Sequence, residues 1–164
     1  MGTTGRIFVV IGGLVGVAAV GGGHAAPPGE GSLPADFTGE IKPVLYVADV
    51  EVSAPFYRDV LGFEFLGYSE ADGSPYYAEM AAGSQKFGLH DPMNEEQESW
   101  VGHQRLYFRV TDVRAHRAAV LARGASPGEL VETDWMDMVI VRDPDGHQIV
   151  FATTDPSRHS VDPW

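Results

Sequence analysis

The chain has 164 residues, 44% of them apolar, which is enough for one domain with its own core and too apolar for a disordered chain. It has no cysteine, which excludes disulfides and thiolate metal sites. A formal charge of −12, with arginines scattered rather than clustered, argues against a general affinity for nucleic acid.

The first segment reads as an export signal over residues 1–25. Arg6 gives a short positive region, Ile7 to Val20 carries no charge, and Gly23 and Ala25 occupy the −3 and −1 positions of a cleavage site. The apolar run is shorter than the roughly 20 residues a membrane span needs, and Gly12, Gly13 and Gly16 weaken it as a helix. An uncleaved anchor is the rival reading. The Gly-rich run is not a dinucleotide loop, because Ile11 stands where the fingerprint needs its first glycine. Export predicts a periplasmic or extracellular protein with no stable membrane association once the signal is removed. Residues 26–40 are rich in Pro, Gly and small polar residues, as a flexible linker is.

From Ile41 a pattern runs twice. Pro43 to Asp49 (P-V-L-Y-V-A-D) reads as an alternating strand and ends at an Asp. A short helix is expected next, with Ser53 as N-cap, Pro55 in the first turn, Phe56 and Val60 on one face, and Gly62 as the stop. Strands are predicted over Phe63–Tyr68, Tyr76–Met80 and Gln85–His90, with Asp72-Gly73-Ser74-Pro75 and Ala82-Gly83-Ser84 as turns. Asp91–Ser99 reads as a charged linker. About 63 residues after the first strand the order recurs. Leu106 to Asp112 alternates, and a helix over Val113–Arg123 follows, capped by Asp112 and stopped by Gly124. Three strands complete the second copy: Glu129–Glu132, Met136–Arg142 and Gln148–Thr153. The turn Asp143-Pro144-Asp145-Gly146 joins the last two. A polar tail occupies 155–164.

These landmarks resemble the vicinal oxygen chelate superfamily, which has the glyoxalase and bleomycin-resistance fold. The carriers are P-V-L-Y-V-A-D-V (43–50), S-x-x-F-Y-x-x-x-L-G-F (53–63), F-G-L-H (87–90), D-V…R-G-A (112–125) and V-R-D-P-D-G-H-Q-I-V-F (141–151), so the likeness covers about 41–154. The resemblance implies an α+β fold: two βαβββ modules whose strands curve into an open, cup-shaped mixed β-barrel with the helices outside. On alternation, Leu45, Val47, Phe87, Leu89, Leu106, Phe108, Val110, Ile149 and Phe151 should face the helices. Lys42, Val44, Tyr46, Lys86, Gly88, His90, His103, Arg105, Tyr107, Arg109, Met138, Ile140, Gln148 and Val150 should face the cup.

In metal-dependent relatives the ligands are a His seven residues before each module's Asp and a carboxylate on each module's fourth strand. Here those positions hold Lys42, Arg105, Gly88 and Val150, so the expectation is a protein with no metal and no cofactor. A register shifted by two would offer His90 and His103, with Glu79 as a third ligand. His116 is expected in a half-buried packing role. The missing ligands resemble the bleomycin-resistance branch, whose members sequester a ligand without chemistry. The expected function is therefore small-molecule binding through Lys42, Tyr46, Lys86, His90, Arg105, Tyr107, Arg109 and Met138. A metal-dependent lyase, isomerase or dioxygenase with the shifted ligand set is the alternative. Lys42, Lys86, Arg105 and Arg109 favour an anionic ligand, unless they pair with Glu79, Asp137 or other acids. The resemblance is compatible with a homodimer.

Overall fold

A computed structural model describes residues 40–158. The expected signal segment, residues 26–39 of the linker, and residues 159–164 lie outside the described residues. The order is β1 (Val44–Tyr46), α1 (Val50–Pro55), β2 (Glu64–Ala71), β3 (Ser74–Ala82), β4 (Gln85–His90), α2 (Glu95–Glu98), β5 (Arg105–Arg109), α3 (Val113–Ala122), β6 (Val131–Glu132), β7 (Asp137–Arg142) and β8 (Gln148–Thr153). Two four-stranded sheets result, ordered β1-β4-β3-β2 and β5-β8-β7-β6. In each, the first strand runs parallel to the fourth and the other pairs are antiparallel. This is the βαβββ unit twice, cupped rather than closed into a barrel. Among the described residues no helix is long and apolar enough to cross a membrane.

Local chemistry moves several expected boundaries. Asp49, not Ser53, caps α1: its carboxylate accepts from the Glu51 and Val52 amides at 2.8 and 3.2 Å. An Asp ending a strand can satisfy the first orphan amides of the next helix at once, which Ser53 stands too late to do. Ser53 is buried inside the helix and donates to Asp145 Oδ2 at 3.1 Å. Pro55 has no N–H to donate, and directly after it the chain widens into a π-helical turn over Phe56–Leu61. Gly62 ends that turn at φ 87°, where an L side chain would be strained. Asp112 caps α3 as expected, through the Arg114 and Ala115 amides. The linker 91–99 contains α2, one helical turn capped by Asn94. His103, expected on the strand, stands in an exposed turn, because the second module's first strand begins only at Arg105. Likewise β6 spans two residues, not four.

The helix-facing alternation holds. Leu45, Val47, Phe87, Leu89, Ile149 and Phe151 are buried, with Leu106, Phe108 and Val110 packed partly buried against them. Phe63 joins the modules, its ring centroid 4.6 Å from Phe108, 5.0 Å from Phe87 and 5.9 Å from Phe151. His116 packs on Phe151 with centroids 4.0 Å apart, and burial holds its imidazole below the ordinary range.

Polar bonds tie the same modules together. Buried Tyr57 donates to Asp143 Oδ2 at 2.8 Å, while Asp143 Oδ1 accepts from the Asp145, Gly146 and His147 amides and shapes the turn. Gln104 acts as one rung of a ladder beside β1: its amide oxygen accepts from Tyr46 N at 2.9 Å and its NH2 donates to the Val44 carbonyl at 3.0 Å. Buried His147 bridges the Gln104 amide and the Tyr46 carbonyl. Arg123, just past α3, donates to the carbonyls of Val60 and Leu61.

Candidate ligand-binding face

Strand register places the face opposite the helices in short cross-strand rows. On the first sheet these are Tyr46–His90–Tyr77, then Val44–Gly88–Glu79, then Lys86–Ala81, with Lys42 just before β1. On the second they are Arg105–Gln148–Arg142, then Tyr107–Val150–Ile140, then Arg109–Ala152–Met138.

The eight expected site residues do not gather into one pocket. Lys86, Tyr107 and Arg109 line a cleft of about 610 Å³ where β1 and β4 part from β5, over a floor that includes Pro43, Phe87 and Phe108. Tyr46 and His90 lie at the other end of β1, in an aromatic group. Trp100 tilts onto Tyr46 with centroids 5.4 Å apart, and His90 sits 5.5–5.8 Å from Tyr46, Tyr76 and Tyr77. Trp100 remains 41% exposed. Met138 is half-buried in the outer row of the second sheet.

The cations divide by sheet. Lys42 Nζ is 2.9 Å from Glu79 Oε1, and Lys86 Nζ approaches the same oxygen at 3.7 Å. Lys42 therefore holds the Glu79 carboxyl below its ordinary range. Lys42 also stands 5.1 Å over the Tyr77 ring. One carboxylate thus serves both lysines, as the pairing with Glu79 anticipated, and the cluster keeps one net positive charge. Arg105 lies 5.0 Å over the Tyr107 ring, and Arg109 donates to Thr154 Oγ1 at 2.6 Å. Asp137 accepts from Arg158 at 2.6 Å.

The four positions where the resemblance places metal ligands do not fit a metal ion. Lys42 and Arg105 are cations, and Val150 is a buried apolar side chain. Gly88 offers no donor, and the ring of Tyr77 fills its side-chain space: a Cβ there would stand 2.4 Å from Tyr77. The shifted set is not brought together either. His103 is in the exposed turn, the His90 Nδ1 faces the Asp91 carbonyl, and Glu79 is bonded to Lys42. Among the described residues no three His, Cys, Asp or Glu side chains form a metal-holding group.

Residues 40–151 match the family model described as "Glyoxalase/Bleomycin resistance protein/Dioxygenase superfamily". The chain belongs to this superfamily. No curated protein matches it in sequence. Among solved structures, TnmS3, an antibiotic-binding protein from Streptomyces sp. CB03234, is 22% identical with a TM-score of 0.58, over 73% of this chain and 99% of that one. The bleomycin-binding protein of Streptomyces verticillus, in complex with copper(II)-bleomycin, is 20% identical with a TM-score of 0.57, over 71% and 96%. An integron cassette protein from the mobile metagenome of V. cholerae is 26% identical with a TM-score of 0.56, over 75% and 100%. These likenesses establish the superfamily's cupped fold in this chain.

Four residues of this face escaped the sequence-level selection. Tyr77 and Arg142 share the alternation of chosen neighbours, and Gln148 was placed on the cup but not chosen as a contact. Trp100 gave no signal, since it follows a segment that reads as a linker.

Proposed function

We propose that this superfamily member binds a small organic molecule on the concave face of its sheets and holds it unaltered. The observation that carries the reading is open aromatic surface at two places: Trp100 (41% exposed) on half-buried Tyr46 at one end of β1, and Tyr107 (41% exposed) on β5 of the second sheet. Large aromatic side chains left open on a concave surface give up burial that only a ligand would restore. The donor set supports binding over metal-assisted chemistry, because cations and apolar residues stand where ligands would be needed. The printed functions of two relatives, antibiotic binding and bleomycin binding, support the same reading. We further infer, on the sequence alone, that the chain is exported, so that binding takes place in the periplasm or outside the cell.

The test is thermal unfolding against a panel of aromatic metabolites, with and without divalent metals and a chelator. A compound that binds only the folded chain raises Tm. The expected result is stabilisation by at least one aromatic compound, recovered unchanged after incubation, with no effect of chelator. A stoichiometric metal that is lost on His90→Ala or His103→Ala would overturn the reading in favour of the metal-dependent alternative.

A further inference from the structure

The geometry points to a carboxylate subsite on the second sheet, formed by the row Arg105–Gln148–Arg142 at the head of the apolar row Tyr107–Val150–Ile140. It deepens the proposed small-molecule function and rests on that reading. Its ligand class is an organic acid with a flat or aliphatic body.

Three observations converge on this row. First, Arg105 pairs with Gln148 in the parallel ladder and Arg142 pairs with Gln148 in the antiparallel one, so the three side chains leave the sheet on the same face. With strands about 4.8 Å apart, the two arginines flank Gln148 across about 10 Å of backbone. Second, the row is unsatisfied although the protein is strongly acidic. Arg58, Arg114, Arg117 and Arg158 each meet a carboxylate. Among the described residues Arg105 and Arg142 meet none, and the Gln148 carboxamide has no hydrogen-bond partner. Third, both guanidinium groups are pre-positioned. Arg105 lies on the Tyr107 ring, and Arg142 spends one nitrogen on the Gly146 carbonyl at 2.9 Å, leaving its other N–H groups free. A cation stacked on an aromatic face loses little freedom when it closes on an anion.

The chemistry follows. A guanidinium presents parallel N–H donors that match the two oxygens of a carboxylate, and such charge-assisted bonds are the strong ones. Gln148 adds an amide donor between the arginines. Exposed Tyr107 and half-buried Ile140 supply apolar surface beside the charge, on either side of fully buried Val150 in the ladder. The two lysines of the first sheet share the Glu79 carboxylate, whereas Arg105 and Arg142 meet no carboxylate among the described residues.

The experiment is calorimetric titration of the full chain with naphthoate, naphthamide and naphthyl phosphate. The expected result is naphthoate binding about tenfold tighter than either of the others. Arg105→Gln and Arg142→Gln should each remove that preference, bringing naphthoate to the affinity of naphthamide for the same variant, while Arg117→Gln should change nothing. Melting curves check that the exposed substitutions leave the fold intact. Equal affinity for acid and amide, or a preference that survives both substitutions, overturns the subsite while leaving small-molecule binding standing. Tighter binding of the phosphate overturns the carboxylate assignment. If none of the three binds, the subsite falls, and the broader function is judged separately by the metabolite panel.

Discussion

The ring of Tyr77 lies over Gly88, so close that a Cβ at Gly88 would stand 2.4 Å from both Cε2 and the hydroxyl oxygen. One residue without a side chain thus makes room for another that covers the middle of the first sheet. Gly88→Ala should destabilise the fold by about 1–3 kcal/mol in urea unfolding, the usual cost of overpacking. In a Tyr77→Ala background the same substitution should be nearly neutral, because the ring it collides with is gone. A cost of the same size in both backgrounds would show that Tyr77 is not the obstacle.

The Tyr57–Asp143 bond links the first module's helix to the second module's turn, and both groups are buried. Tyr57→Phe leaves a buried carboxylate short of one donor and should cost about 1–3 kcal/mol at neutral pH. Burial, reinforced by Asp143, raises the Tyr57 phenol well above its ordinary 10.0. Its contribution is therefore complete below that value and is lost as pH rises beyond it. Wild type should show an alkaline loss of stability that Tyr57→Phe reduces. Burial also raises the Asp143 carboxyl above its ordinary 3.8, so the folded state takes up that proton first. The stability of wild type relative to Asp143→Asn should then increase as pH falls toward 3.8. A pH-independent difference between the two proteins would refute this.

Trp100 touches Tyr46 yet is 41% exposed, so its removal should affect binding more than folding. For an aromatic compound that binds the wild type, Trp100→Ala should weaken the dissociation constant about 2–10-fold, the worth of one aromatic contact of about 0.5–1.5 kcal/mol. Tm should change little. A large fall in Tm with unchanged affinity would assign Trp100 to the core instead.

The export reading is checked at the N-terminus. Protein collected outside the cytoplasm of an expressing bacterium should begin at or near Ala26 by terminal sequencing. An intact Met1 in the membrane fraction would favour the uncleaved anchor.

Alternation alone determined the core side of the strands, because a strand turns successive residues to opposite faces whatever the fold around it. Leu45, Phe87, Leu89, Ile149 and Phe151 could be read that way, and so could the doubled βαβββ order, since the capping Asp112 and the Asp143–Gly146 turn are local features. Alternation also put Lys86, Arg105 and Arg109 on the face opposite the helices, but it could not say which cations meet a carboxylate. That depended on strand register between distant segments. Gly88 had to align with Glu79 for Glu79 to come within reach of Lys42, 37 residues away in sequence. Gln148 had to lie between Arg105 and Arg142 for a polar row to exist. Register, and the packing of Tyr77 into the space at Gly88, are three-dimensional facts with no local signal, so only the tertiary structure could show that Lys42 and Lys86 share Glu79 while Gln148 lies between Arg105 and Arg142.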